Sequence, residues 1–346
     1  MADPGLRIGF VLTATHGGIG RHVAGMIPRL QARGHQVRVW CPDDVAGGPL
    51  AGVDVCVRPL TRLLRIGSAD VVHAHGYKAA AVAGPIARLT RTPMICTWHN
   101  DIPPAGVSRL IGAGLRRVAA ATSTVVLGVS SDLVAAATAL GAAAVLAPVP
   151  APPPPTVDRD RDRTRSMLGF GPDDFMIISV ARLAPQKNLD LLLDIAGRTP
   201  RAHYLICGDG PDRDRLQSRI DREQLPVRLL GHRRDVPELL AAADLSINTS
   251  RWEGSSLALQ ECLQLGVPLI ATDVGGTADI VGDGAILFDP EAADVAAVQV
   301  TALIDDPQRR RRLATQGRRQ AASWPTEEQT ADRLADLYAR HGGPIS

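Results

Sequence analysis

Short apolar runs alternate with Ala-, Leu- and Arg-rich segments along the whole chain, and this alternation restricts the fold more than any other feature. Residues 7–13 (RIGFVLT), 36–41, 69–75, 94–99, 124–129 and 144–149 read as strands. They are continuously apolar instead of alternating, as expected for parallel strands covered on both faces. Six of the eight residues 148–155 are then proline, a composition that favours an extended, semi-rigid spacer. The strand–helix series restarts at 176–182 and continues through 203–208, 227–231, 244–250, 268–273 and 285–289. Two such series predict an α/β protein of two doubly wound, Rossmann-like domains facing across a cleft, with ligands beyond the carboxyl ends of the strands. The expected boundaries are 1–147 for the first domain, 148–157 for a Pro-rich hinge, 158–324 for the second domain, and a final amphipathic helix within 325–346.

A net charge of +2 gives no bulk attraction to nucleic acid. The five cysteines are scattered without a C-x-x-C pair, which fits buried free thiols in a reducing compartment and no structural zinc. The first apolar run holds about seven residues and no stretch approaches the ~20 needed to span a bilayer. A cytoplasmic enzyme is expected, with the inner face of a membrane as the alternative location. Lysine occurs only at Lys78 and Lys187, so each is more conspicuous than it would be in a lysine-rich chain.

Three segments carry chemistry. Thr15-His16-Gly17-Gly18-Ile19-Gly20 leads from the first strand into a helix, where tight glycine turns expose N–H groups to an anion. A nicotinamide fingerprint would need a third glycine, and Val23 stands there; Asp43 or Asp44 keeps that reading open as a ribose ligand. In the second series, Arg182 ends a strand and Lys187 precedes a helix. Two cations converging at a sheet edge neutralise a diphosphate, and two solvated surface charges are the plainer alternative. The third segment, Ser250–Glu261, joins a buried strand to a helix. Glu253 and Glu261 are separated by seven residues, Gly254 permits a sharp turn, and Ser255, Ser256 and Leu257 place N–H groups at the helix start. Neither serine has Glu or Gln three residues on, so no capping box occupies those donors.

With these segments, the chain resembles the retaining glycosyltransferases of family 4, which have the GT-B fold. The resemblance runs through Gly17-Gly18, Asp70-Val71-Val72-His73-Ala74-His75, Arg182 and Lys187, Cys207-Gly208-Asp209-Gly210-Pro211, Leu230-Gly231-His232, the Glu253/Glu261 pair, Gly275-Gly276 and Trp324 to Tyr338. It implies that Glu253 faces the donor sugar, Glu261 the ribose, and Arg182 and Lys187 the diphosphate. It places Gly17, Gly18, Gly254, Ser255, Ser256 and Leu257 around the donor and sets Gly231 and His232 against the base. His99 matches a histidine that reaches the donor sugar near the reacting carbon. The last helix is expected to return to the first domain. Two departures stand out: Asp279 replaces the usual Glu after Gly-Gly, and the short segment from His99 to Thr124 carries no acceptor signature.

The reading is a retaining, metal-independent hexosyltransferase using a UDP-, GDP- or ADP-linked sugar, with no separate cofactor. The acceptor is a sugar, a lipid or a small molecule; His16 and His75 are the acceptor-side candidates, with His73 beside them. The rivals are a nicotinamide-dependent enzyme and a non-catalytic nucleotide-sugar-binding or membrane-scaffold protein on the same fold. The Asp-x-Asp pairs at Asp158/Asp160, Asp160/Asp162 and Asp212/Asp214 lie in Arg-rich stretches that read as solvated, not as metal sites. Arg309–Arg312 reads as a solvated helix face. Residues 106–121 read as a core-packing helix, with a membrane-surface helix as the alternative.

Overall fold

The structure, a computed structural model, describes residues 5–13, 18–42, 50–51, 53–101 and 107–342. Two units emerge: residues 1–150 together with 325–346, and residues 151–324. Each is built on one sheet, and every strand pair in both is parallel.

In the first unit the strands are β1 (Arg7–Leu12), β2 (Gln36–Cys41), β3 (Cys56–Pro59), β4 (Val71–His75), β5 (Met94–Trp98), β6 (Val125–Gly128) and β7 (Ala144–Leu146). Their order is β3-β2-β1-β4-β5-β6-β7, so the winding reverses between β1 and β4. The connecting helices are α1 (Gly18–Ala32), α2 (Tyr77–Leu89), α3 (Val107–Thr122) and α4 (Ser131–Ala139). The edge strand β3 is not among the strands expected from the sequence. Its residues alternate exposed and half-buried, it ends in proline, and it lacks the continuous apolar signal of a central strand. The same edge position leaves Cys56 exposed, whereas the other four cysteines are buried as free thiols.

The second unit has α5 (Arg161–Leu168), β8 (Phe175–Val180), α6 (Leu189–Arg198), β9 (Ala202–Cys207), α7 (Arg213–Glu223) and β10 (Val227–Gly231). It continues with α8 (Val236–Ala242), β11 (Leu245–Asn248), α9 (Leu257–Leu265), β12 (Leu269–Thr272), α10 (Thr277–Val281) and β13 (Ile286–Phe288). The helices α11 (Ala293–Asp305) and α12 (Pro307–Ser323) complete it. Strand order is β10-β9-β8-β11-β12-β13, with the reversal between β8 and β11. Successive residues feed two separate cores: Ile177, Tyr204, Ile206 and Ile247 enter one, and Met176, Ile178, Leu205 and Leu269 the other. This two-sided burial is the physical source of the unbroken apolar runs.

The terminal helix α13 (Glu327–His341) belongs to the first unit. A reciprocal box of Thr326 and Gln329 caps its start. Leu334 and Tyr338 share the core of α1 residues Val23, Met26 and Leu30, and Arg29 and Arg33 pair with Glu327 and Asp332 at 2.6 Å each. Asp70 has an architectural part: it accepts from the Arg7 backbone N–H at 2.7 Å and from the Arg7 guanidinium at 2.6 Å. That pairing locks the start of β4 to β1 and lowers the Asp70 pKa, the side-chain hydrogen bond from Arg7 contributing most.

Three expectations are corrected. The Arg-rich stretch after the prolines is not simply solvated: Asp160 caps α5 by accepting from the Arg163 N–H at 2.8 Å. In the same stretch Arg165, only 2% exposed, bonds Asp244 at 3.1 Å and the Ala242 and Gly171 carbonyls at 3.1 and 3.0 Å. Within 309–312, Arg310 stacks 5.1 Å from the Phe175 ring and donates to the carbonyls that end α11. Finally, α3 does not bury its large apolar residues. Its inward face is Gly112, Arg116, Ala119 and Ala120, while Val107, Leu110 and Ile111 face solvent. Small residues allow close approach to α2: a Cβ on Gly84 would lie 2.0 Å from Thr122 Oγ1.

Replacing Arg165 by Met removes its bonds to Asp244, Gly171 and Ala242 and strands the buried Ala242 carbonyl. A loss of about 3 kcal/mol is expected, seen as a fall in Tm of about 6–12 °C for the second unit; an unchanged melting curve would refute the clamp.

Candidate functional site

The second unit places its polar residues where the winding reverses. The chain leaves β8 at Val180 and runs past Arg182 through a single 3-10 turn, Pro185–Lys187, into α6. The chain leaves β11 at Asn248 and turns through residues 249–256 into α9. These two exits flank the β8/β11 reversal, the place where doubly wound sheets bind ligands.

Backbone contacts hold the two exits together. The Arg251 N–H donates to the Gln186 carbonyl at 2.8 Å, and Gln186 Nε2 donates to the Trp252 carbonyl at 2.9 Å. The Thr249 hydroxyl donates to the Lys187 carbonyl at 3.1 Å. Glu253, 4% exposed, then receives three donors on one oxygen. Its Oε1 accepts from Lys187 Nζ at 2.6 Å, Ser250 Oγ at 2.5 Å and Asn248 Nδ2 at 3.2 Å. No hydrogen bond reaches Oε2 among the described residues. The carboxylate is thus charge-compensated and fixed on one oxygen, and the other remains available as an acceptor.

Gly275 and Gly276 support this turn from behind. The Gly276 N–H donates to the Glu253 carbonyl at 2.7 Å. Gly275 adopts φ +52°, and a Cβ there would sit 2.2 Å from the same carbonyl oxygen. Thr272 donates from its hydroxyl to the Ser250 carbonyl at 2.7 Å. Gly208 and Gly210 serve the neighbouring strand end: side chains there would strike the Ala181 and Leu183 carbonyl oxygens at 1.9 and 2.3 Å.

The other residues singled out in the sequence of this unit gather at the same sheet edge. Ser256 is the N-cap of α9 and makes no side-chain cap bond, so the first N–H groups of that helix keep the character of an anion site. Ser255, Leu257 and Glu261 are half-buried and Gly254 is buried. Gly231 ends β10 with φ +69° and accepts at its carbonyl from the Gly208 N–H at 2.9 Å, while His232 is exposed. Arg182 is exposed, whereas Lys187 is committed to Glu253. The two cations expected to act as a diphosphate clamp therefore differ in their attachment.

In the first unit, His75 and His99 meet at the ends of β4 and β5, with His75 Nδ1 3.3 Å from His99 Nε2. They belong to a buried group of four imidazoles with His22 and His73. His73 stacks on His75 at 4.2 Å, and the ring of His22 lies 5.9 Å from both His75 and His99. His73 is tied on both nitrogens, to Tyr338 Oη at 2.6 Å and Thr97 Oγ1 at 2.7 Å. The terminal helix thereby reaches the histidine group. Burial pushes His22 down to about 4 and His73 to about 3, and holds His75 and His99 well below the usual histidine value. All four are neutral at physiological pH. Among the described residues His22 Nδ1 and His75 Nε2 find no hydrogen-bond partner, which would cost about 1–3 kcal/mol each. His16 and Gly17 lie outside the described residues, as do Asp43 and Asp44; Gly18 is the first residue of α1.

Sequence reasoning missed Asn248, Ser250 and His22 as site residues. The first two were visible as polar residues ending an otherwise apolar strand. His22 had no such signal, because one polar residue on a helix is ordinary.

Comparison with known proteins accounts for this arrangement. Residues 160–320 match the family described as Glycosyl transferases group 1, and residues 17–152 match the Glycosyl transferase 4-like domain. Between them the two glycosyl transferase models match most of the chain. It is 27% identical over 184 residues to the alpha-D-kanosaminyltransferase of Streptomyces kanamyceticus, covering 50% of this chain and 48% of that one. The match thus spans about half the length of that relative. Similarity to the glycogen synthase of Mycobacterium tuberculosis is 28% over 386 aligned positions, 94% of this chain and 92% of that one. Among solved structures, Anabaena HepE in complex with UDP aligns with a TM-score of 0.85 at 21% identity, over 97% of this chain and 100% of that one. The two share the GT-B fold.

Two outcomes are expected from this geometry. Gly275→Ala carries about 1–2 kcal/mol of left-handed backbone strain besides its clash with the Glu253 turn, so Tm should drop by several degrees; an unshifted Tm would show that the turn gives way freely. The histidine group sets an acid limit. Unfolded histidine takes up its proton near pH 6.5 and these do not, so stability is complete above about 6.5 and is lost as the pH falls towards 4. Each contributes about 1.4 kcal/mol per pH unit. Urea unfolding at pH 5 and pH 7 should show a smaller difference in His22→Leu than in the parent; equal differences would count against a neutral His22.

Proposed function

We propose that this protein is a retaining glycosyltransferase that moves a hexose from a nucleoside-diphosphate sugar to an acceptor hydroxyl without a metal. The observation that carries the reading is the Glu253 carboxylate, pinned on Oε1 by Lys187, Asn248 and Ser250 beside the uncapped start of α9.

Each part has a chemical task. A donor diphosphate gains negative charge as the bond from sugar C1 to phosphate oxygen breaks. Arg182, the second and third ammonium protons of Lys187 and the α9 N–H groups stabilise that charge most in the transition state. Glu253 Oε2 accepts a sugar hydroxyl, and Glu261 a ribose hydroxyl. Three donors on Oε1 lower the nucleophilicity of Glu253, which favours a positioning and electrostatic role over a covalent intermediate. Transfer with retention then proceeds on one face: the acceptor oxygen bonds to C1 as the phosphate departs, and its proton passes to the leaving phosphate oxygen. His99, neutral and hydrogen-bonded to His75, is oriented to donate to or accept from a sugar hydroxyl near C1. Gly231 and His232 meet the base.

The relatives support a nucleotide-sugar donor without choosing its base. HepE was crystallised with UDP, with UDP and glucose, and with UDP-glucose. A thermal-shift screen of UDP, GDP and ADP identifies the nucleotide, and release of that nucleotide from its hexose conjugate measures turnover. Glu253→Gln, which keeps the shape of the side chain, should cut turnover by about 10²–10³-fold while Tm stays close to the parent's. Parent-like turnover in Glu253→Gln would sink the assignment.

A further inference from the structure

The outer face of α2 and α3 is built inside-out. On α3, Val107, Leu110, Ile111 and Val118 recur at helical spacing and are all exposed, Leu110 by 75%, Val107 by 72% and Ile111 by 58%. The opposite face, turned to the sheet, buries Gly112, Ala119, Ala120 and Arg116, with Leu115 half-buried beside them. That arginine lies 4.7 Å from the Trp98 ring and pairs with Asp101 at 2.9 Å. On α2, Tyr77, Ala80, Ala83 and Ala87 are buried, and Val82 and Leu89 are exposed, Leu89 by 81%. The two helices pack side by side through their small residues, so their apolar stripes lie next to each other and point away from the sheet.

The charges on this face have one sign. Lys78 and Arg88 are exposed on α2, and Arg109 and Arg117 on α3; neither helix contains an acidic residue. A second copy docking here about a two-fold axis would set these like charges against one another. An anionic lipid surface matches both properties: acyl chains receive the apolar stripe, and headgroup phosphates receive the cations. We infer that the face formed by α2 and α3 is a docking surface for an anionic lipid bilayer, holding the first unit at the membrane interface. No helix among the described residues is long and apolar enough to cross a membrane, so the contact is peripheral. The inference does not depend on the sugar-transfer reading, since the face shares none of the site residues.

Co-sedimentation of the full chain with vesicles tests it. The parent should bind vesicles of phosphatidylglycerol and phosphatidylcholine, bind pure phosphatidylcholine far less, and release in 0.5 M salt. The double variant Leu110→Asp/Ile111→Asp should lose at least tenfold in partitioning, and Arg117→Ala about fivefold, both with parent-like Tm because the side chains are exposed. Absence of binding to anionic vesicles at low salt would overturn the inference, and so would undiminished binding by the double variant. Concentration-dependent self-association of the parent, abolished in the double variant and without vesicle binding, would reassign the face to a contact between copies.

Discussion

The Glu253 carboxylate is held in one position because three donors meet on a single oxygen. A buried carboxylate is costly unless it is paired and hydrogen-bonded. Here the pairing cation comes from the end of β8, and the two neutral donors come from the end of β11. The contact therefore does more than neutralise a charge. It ties the two strand exits that flank the reversal of the sheet, and the backbone bonds between Gln186 and the 251–252 segment repeat that tie. The glycines at 275 and 276 belong to the same requirement, since only a residue without Cβ lets that loop approach the Glu253 carbonyl.

The first unit solves the opposite problem. The four clustered histidines are buried without a carboxylate among them, and desolvation keeps them neutral. One unit therefore presents fixed charge, and the other presents neutral donors and acceptors. Tyr338 extends the second arrangement to the end of the chain: its hydroxyl on His73 makes the terminal helix part of the site's support.

Helices α2 and α3 show how packing and composition can separate. Their inner faces need small residues because the helices approach closely, as Gly84 against Thr122 demonstrates. The large apolar residues are then left for the outside, where burial within the chain cannot explain them.

Much of the architecture was legible in the sequence. Unbroken apolar runs identify strands buried on both sides, and only parallel sheets covered by helices make many of them. The Glu253/Glu261 spacing, with Gly254 at a strand–helix junction, marked the turn between β11 and α9. The edge strand β3 escaped because it is half-solvated and carries no such signal. Three further features required the tertiary structure. Lys187 and Glu253 are 66 residues apart and meet only because β8 and β11 are neighbours. Four histidines drawn from α1, β4 and the end of β5 become one neutral group only when the sheet brings them together. The residues of α3, read as a helix that packs inward, turn out to bury their small side and expose their large one. Sequence periodicity determines that a helix has an apolar face, but which face meets the core depends on how closely its neighbours approach, and that distance is a property of the folded chain alone.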